Sequence, residues 1–286
     1  MDITILFILF VLGICVGSFL NVLIDRIPQG KSPFSGRSYC DKCKKTLKWY
    51  DLIPLISYLF LKGKCRHCHS PISAYYPLVE LVTGLMFFIL FLWLTNLPFT
   101  IYHLPFNLTI EQFSNLAINY AYYAFILASF IVIFFTDLKY GIIPDKIVYT
   151  AVAVSTIYYL LFTIYSPMVN GQSSIINALF SGVGSFLFFL ILYLITRGKG
   201  MGFGDVKLAF LLGIILGFPK IVAAFYVAFL TGAIAGSILI IWKKKKLKGG
   251  TIPFGPFLII GAGLSLFFGE KIIRLVLSST ALNLLK

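Results

Sequence analysis

The chain has 286 residues, 59% of them hydrophobic and only 12% charged, with a formal net charge of +14. Water-soluble globules carry about a quarter charged residues, so this composition excludes one and points to lipid as the solvent. Long apolar runs recur, each approaching the roughly 20 residues an α-helix needs to cross about 30 Å of hydrocarbon, and the alternation of a membrane β-barrel is absent.

In chain order the runs fall at 3–24, 77–94, 116–136, 147–166, 175–195, 206–218, 221–242 and 252–268. They predict an all-α polytopic membrane protein of about eight transmembrane helices. The first run has no basic stretch before it and is followed by Arg26 instead of a small-residue cleavage site, so it reads as a retained span rather than a signal peptide. Cys15 within it reads as a small apolar packing residue. The sixth run is short, either extending into the glycine-rich segment before it or forming a partial span. Gly13/Gly17, Gly213/Gly217 and Gly232/Gly236 repeat at four-residue spacing, which lets helix backbones approach closely.

Alternating the connections from an outside N-terminus puts 25–76, 137–146, 196–207 and 243–251 on one side. These hold 20 of the 24 Lys and Arg residues; Lys220, Lys271, Arg274 and Lys286 are the rest. By the positive-inside rule the first set is cytoplasmic. The charge is thus an orientation signal, and no nucleic-acid partner is expected.

The first of these connections carries Cys40-Asp41-Lys42-Cys43 and, after 21 intervening residues, Cys65-Arg66-His67-Cys68. Two such knuckles fit a closed tetrahedral Cys₄ zinc site, with Cys40, Cys43, Cys65 and Cys68 as ligands and no open position for catalysis. Lys42, Lys44, Lys45, Lys64 and Arg66 offset the thiolate charge. Substitution by His67 or His69, or reduced cysteines without metal, are the alternatives. The expected organisation is a first helix, 1–24, a cytoplasmic zinc-binding module, 25–76, and a helical bundle, 77–286.

Only ten Asp and Glu residues occur, and an acid at a membrane boundary costs enough to be a functional candidate. Asp137 closes the third span and Asp205 opens the sixth, so the proposed topology puts both at the cytoplasmic face. Two carboxyls close enough to share a proton suit peptide hydrolysis, one as general base on water and the other as donor to the carbonyl. Gly202 and Gly204 remove side chains beside Asp205, which permits close approach of an extended substrate. Lys207 reads as an interfacial anchor, with neutralisation of a carboxylate as the alternative. Asp145, between Pro144 and Lys146, reads as a first-turn acid at the start of the fourth helix. Glu80 suits ion pairing with the basic module as well as catalysis.

Taken together these residues resemble the type IV prepilin peptidase family. The likeness runs through Gly17-Ser18-Phe19-Leu20-Asn21-Val22 with Arg26 and Pro28, both cysteine knuckles, and Pro77-Leu78-Val79-Glu80. It continues through Asp137, Ile143-Pro144-Asp145, Gly202-Phe203-Gly204-Asp205-Val206-Lys207 and Pro253-Phe254-Gly255-Pro256. The resemblance implies that Asp137 and Asp205 are the paired catalytic aspartates of an intramembrane protease in the bacterial inner membrane. It implies prepilin or pseudopilin substrates of pilus or type II secretion machinery, whose basic leader is cut after a glycine. It further implies N-methylation of the new amino terminus with S-adenosylmethionine, although no Gly-x-Gly-x-x-Gly follows a strand to mark a donor site. Leader and cytoplasmic surface are both basic, so long-range steering does not explain recognition; Asp25, Asp41, Asp51 and Glu80 are candidate local contacts. An ion-coupled transporter and a non-catalytic assembly scaffold are the competing readings.

Overall fold

The computed structural model describes residues 3–95, 110–165, 171–242 and 253–284. The basic connection 243–251 and most of the 95–115 connection lie outside them. The helices are α1 (Ile3–Arg26), a short α2 (Ile56–Phe60), α3 (Tyr75–Leu94), α4 (Ile110–Tyr140), α5 (Asp145–Tyr165), α6 (Gly171–Ile195), α7 (Phe203–Leu216), α8 (Lys220–Ile241) and α9 (Gly255–Leu284). Among the described residues there is no strand, only two isolated bridges, Tyr39 with Thr46 and Lys64 with Pro71. Pro77, Pro144, Pro219 and Pro256 all fall just before a helix or in its first turn, where a missing N–H costs nothing.

Among the described residues, and apart from α2, eight long helices correspond to the eight apolar runs. Six of them are long and apolar enough to cross a membrane: α1, α3, α4, α6, α8 and α9. The sixth run is α7. It begins at Phe203, and its 14 residues reach about 21 Å, short of the hydrocarbon thickness. Val206, Leu208, Ala209 and the whole stretch Leu211–Leu216 are buried, which marks it as a helix enclosed by protein rather than lipid.

The chain divides into two compact units, residues 1–132 and 133–286. In the first, α1 and α3 pack antiparallel and in close contact. A methyl group added at Gly13 would lie 2.8 Å from the Gly84 Cα, and one at Gly17 would lie 2.7 Å from the Glu80 Cα. Between the two helices Asn21 donates to the Tyr76 carbonyl at 3.0 Å, and the Tyr76 hydroxyl donates to Asp25 at 2.9 Å. Phe87 and Leu90 of α3 bury against Ala124 and Leu127 of α4.

In the second unit α7 packs against α6, where a methyl at Gly213 would lie 2.7 Å from the Gly182 Cα. Asn177 closes the α7–α8 turn by donating to the Phe218 carbonyl and accepting from the Phe218 N–H. Of the other small residues, Gly217 is a helix terminator, with φ +66, and Gly232 faces the Phe254 ring.

Candidate active site and metal centre

Asp137 lies in the last turn of α4. The helix ends when Gly141, at φ +66, donates its N–H to the Asp137 carbonyl at 2.8 Å. Ile142, Ile143 and the buried Pro144 then lead into α5. Asp205 is the third residue of α7. Its Oδ2 accepts the Gly202 N–H at 3.1 Å and its own N–H returns to the Gly202 carbonyl, the arrangement expected of an acid in a helix first turn.

The Asp137 Oδ2 accepts the N–H of Gly255, the first residue of α9, at 3.0 Å. A methyl at Gly255 would lie 2.6 Å from that oxygen, so any side chain there would displace the carboxyl. Both carboxyls are buried, Asp137 at 5% exposure and Asp205 at 6%, and they lie within Coulombic reach of each other. Each is anchored through Oδ2 by a glycine amide, and among the described residues neither Oδ1 takes a protein hydrogen bond.

Ile143 stands against Gly204 and Gly255: methyls at these positions would lie 3.1 and 3.3 Å from its side chain. Gly204 therefore makes room for Ile143, while Gly202 is less crowded, a methyl there meeting only the Asp205 Oδ2 at 3.8 Å and the Gly204 N at 3.9 Å. Gly255 and Ile143 have no role in the sequence argument beyond the family likeness. Their signal was only the runs Pro253-Phe254-Gly255-Pro256 and Ile143-Pro144-Asp145.

Lys207 is not a lone interfacial anchor. Its ammonium lies 2.8 Å from both Asp145 oxygens and 5.3 Å from the Phe203 ring centroid. Asp145 does open α5 as a first-turn acid, and it holds Lys207 as well. Glu80 belongs to the first unit and its partner is no cation: its Oε2 accepts the Leu55 N–H at 2.8 Å, fixing a left-handed residue just before α2. Of the other acids, Asp51 is taken by Arg66 at 2.7 Å and Asp25 by Tyr76. Arg26 reaches the carbonyls of Ser32, Ser35 and Gly36 and so ties the first loop to the end of α1.

The four cysteines converge, with all four sulfurs within 4.8 Å of one another. The knuckles share one backbone design. In each, the first cysteine's N–H reaches the carbonyl five residues on, and its carbonyl accepts from a left-handed residue four on, Lys44 in one and His69 in the other. Among the described residues neither His67 nor His69 joins the cluster. The Cys40 and Cys68 sulfurs are 3.8 Å apart, which suits a tetrahedral centre with metal–sulfur bonds of about 2.3 Å. The Cys43 and Lys42 amides bring the Cys40 thiol down to about 6, and hydrogen bonds from Ser70 lower Cys68, so part of the set is ready to bind a cation as thiolate.

Fold and site define a class, a helical membrane protein with two buried, amide-anchored aspartates in its second unit and, in its first, a Cys₄ cluster that could hold a metal ion. Residues 11–94 match the bacterial peptidase A24 N-terminal domain, and residues 124–237 match the type IV leader peptidase family. The chain is 31% identical over 266 residues to a prepilin leader peptidase/N-methyltransferase of Bacillus subtilis, covering 93% of this chain and 95% of the relative. Proteins of the same name from Aeromonas salmonicida and Pseudomonas aeruginosa are each 30% identical. They cover 95% and 92% of this chain, and 94% and 90% of their own lengths. No solved structure matches. The chain belongs to the type IV leader peptidase family, and with its apolar helices it is a multi-pass inner-membrane protein.

Proposed function

We propose that this chain is a membrane-embedded aspartyl endopeptidase that removes the basic leader from type IV prepilins or pseudopilins, with Asp137 and Asp205 as its catalytic pair. The observation that carries this reading is the pairing itself: two buried carboxyls within Coulombic reach of each other, each anchored through Oδ2 and, among the described residues, without a protein hydrogen bond at Oδ1. Like charges within such reach disfavour double ionisation, which suits a pair that works with one member protonated. The ionised member takes a proton from water as the oxygen attacks the scissile carbonyl. The protonated member donates to the carbonyl oxygen, and on collapse the leaving amine takes a proton and departs. Gly202 leaves the approach for an extended peptide.

Zinc bound by Cys40, Cys43, Cys65 and Cys68 would hold the module's two knuckles together and complete no catalytic step. N-methylation of the new amino terminus, with S-adenosylmethionine as donor, is the second activity of this reading, and the N-methyltransferase in the names of the relatives supports it. The 20 to 4 division of basic residues favours an outside N-terminus with module and aspartates on the cytoplasmic side.

The test is the mass of a purified prepilin incubated with the full chain and S-adenosylmethionine. Loss of the leader with gain of one methyl is expected, and no cleavage by Asp205→Asn. An uncut prepilin would return the protein to the transporter or scaffold reading, and a cut but unmethylated one would confine it to proteolysis.

A further inference from the structure

The segment joining α4 to α5 is fastened at both ends to the aspartates. At its start, Gly141 donates to the Asp137 carbonyl. In its middle, Ile143 packs against Gly204, the neighbour of Asp205, and against Gly255, whose amide holds the Asp137 carboxylate. At its end, Asp145 grips Lys207, two residues beyond Asp205, with both oxygens at 2.8 Å. The Lys207 side chain is only 20% exposed and lies among the Tyr149 and Phe203 rings as well. A closed mechanical loop therefore runs from Asp137 through Ile143 and Asp145 to Lys207 and back along α7 to Asp205.

We propose that the Lys207–Asp145 pair is a clip which, with Ile143 as spacer, sets the separation of the two aspartates, so that all three are positioning residues for hydrolysis. This rests on the catalytic reading of Asp137 and Asp205. The half-exposed Asp145 limits what the pair adds to folding, since exposed ion pairs contribute little. Its effect falls on geometry, where small displacements of reacting groups are costly.

Steady-state cleavage of a prepilin by the full chain in lipid nanodiscs tests the clip. Lys207→Met and Asp145→Asn should each lower kcat about tenfold with KM within about twofold, and the double variant should lose little beyond either single. Lys207→Arg should keep most of the parental kcat. Ile143→Ala leaves every charge in place and provides an independent reading, with the same loss in kcat. Lys146→Gln, exposed and outside the loop, should behave as the parent. Parental kcat in Lys207→Met, or a rise in KM alone, overturns the clip while Asp205→Asn remains inactive. Activity in Asp205→Asn itself overturns the catalytic reading beneath it.

Discussion

Asp137 and Asp205 sit 68 positions apart in sequence, yet each ends with the same environment, a buried carboxyl held through one oxygen by a glycine N–H. Replacing either by Asn keeps size and hydrogen bonding but removes the exchangeable proton, so kcat should fall by about 10²–10⁴. The double variant should be scarcely worse than either single, because the two act as one unit. Cleavage at near the parental rate by a correctly inserted single variant would end the two-aspartate account. Gly255 makes a second, independent claim. Its Ala variant must push against the Asp137 Oδ2, and we expect at least a tenfold loss of kcat with the chain still inserted. Gly202→Ala, whose methyl would meet the Asp205 Oδ2 only at an ordinary 3.8 Å contact, should cost far less, and prepilin cleavage by the two variants compares them directly.

At the scale of elements, the cysteine module and α7 follow different rules. The segment around the knuckles has little apolar interior of its own, so its order depends on what the four sulfurs hold. About one zinc per freshly purified, reduced chain is expected, lost on Cys40→Ser or Cys65→Ser. Thermal stability should then fall before the chemistry at Asp137 and Asp205 does. Metal analysis of the reduced protein that finds no zinc would refute it. For α7 the governing term is packing: Gly213→Ala forces a methyl against the Gly182 backbone and should destabilise by about 1–3 kcal/mol, read from thermal unfolding in detergent.

For the whole molecule, the 20 to 4 partition of Lys and Arg makes a topological claim. A reporter fused after Lys248 should lie on the same side as Cys40–Cys68, and one within 95–115 on the opposite side; the reverse pattern would invert the orientation. Apolar runs mark where α1 and α3–α9 lie, because length and hydropathy are one-dimensional properties, though not where they end, since α4 and α9 extend well beyond their runs. The paired Cys-x-x-Cys spacing likewise announces convergence, since each knuckle is local and two of them need only meet. The two aspartates were legible as acids at apolar boundaries, where a charge is costly unless it is used.

What the one-dimensional pattern could not carry is which side chain meets which across helices. Asp145 looked like a first-turn acid and Lys207 like an anchor, because each role satisfies local rules; only the packing of α5 on α7 brings them to 2.8 Å. Glu80 offered itself equally to cations and catalysis until the fold set it on the Leu55 amide. Gly255 shows in the sequence only through the family likeness, because its task is to have no side chain at a point fixed by a carboxylate 118 positions away. The sequence by itself therefore determined the membrane class, the places of the apolar helices, the cysteine cluster and the two candidate acids, all written in local composition and spacing. The tertiary structure alone decided how those acids are anchored, spaced and clipped, because that geometry arises where helices distant in sequence come into contact.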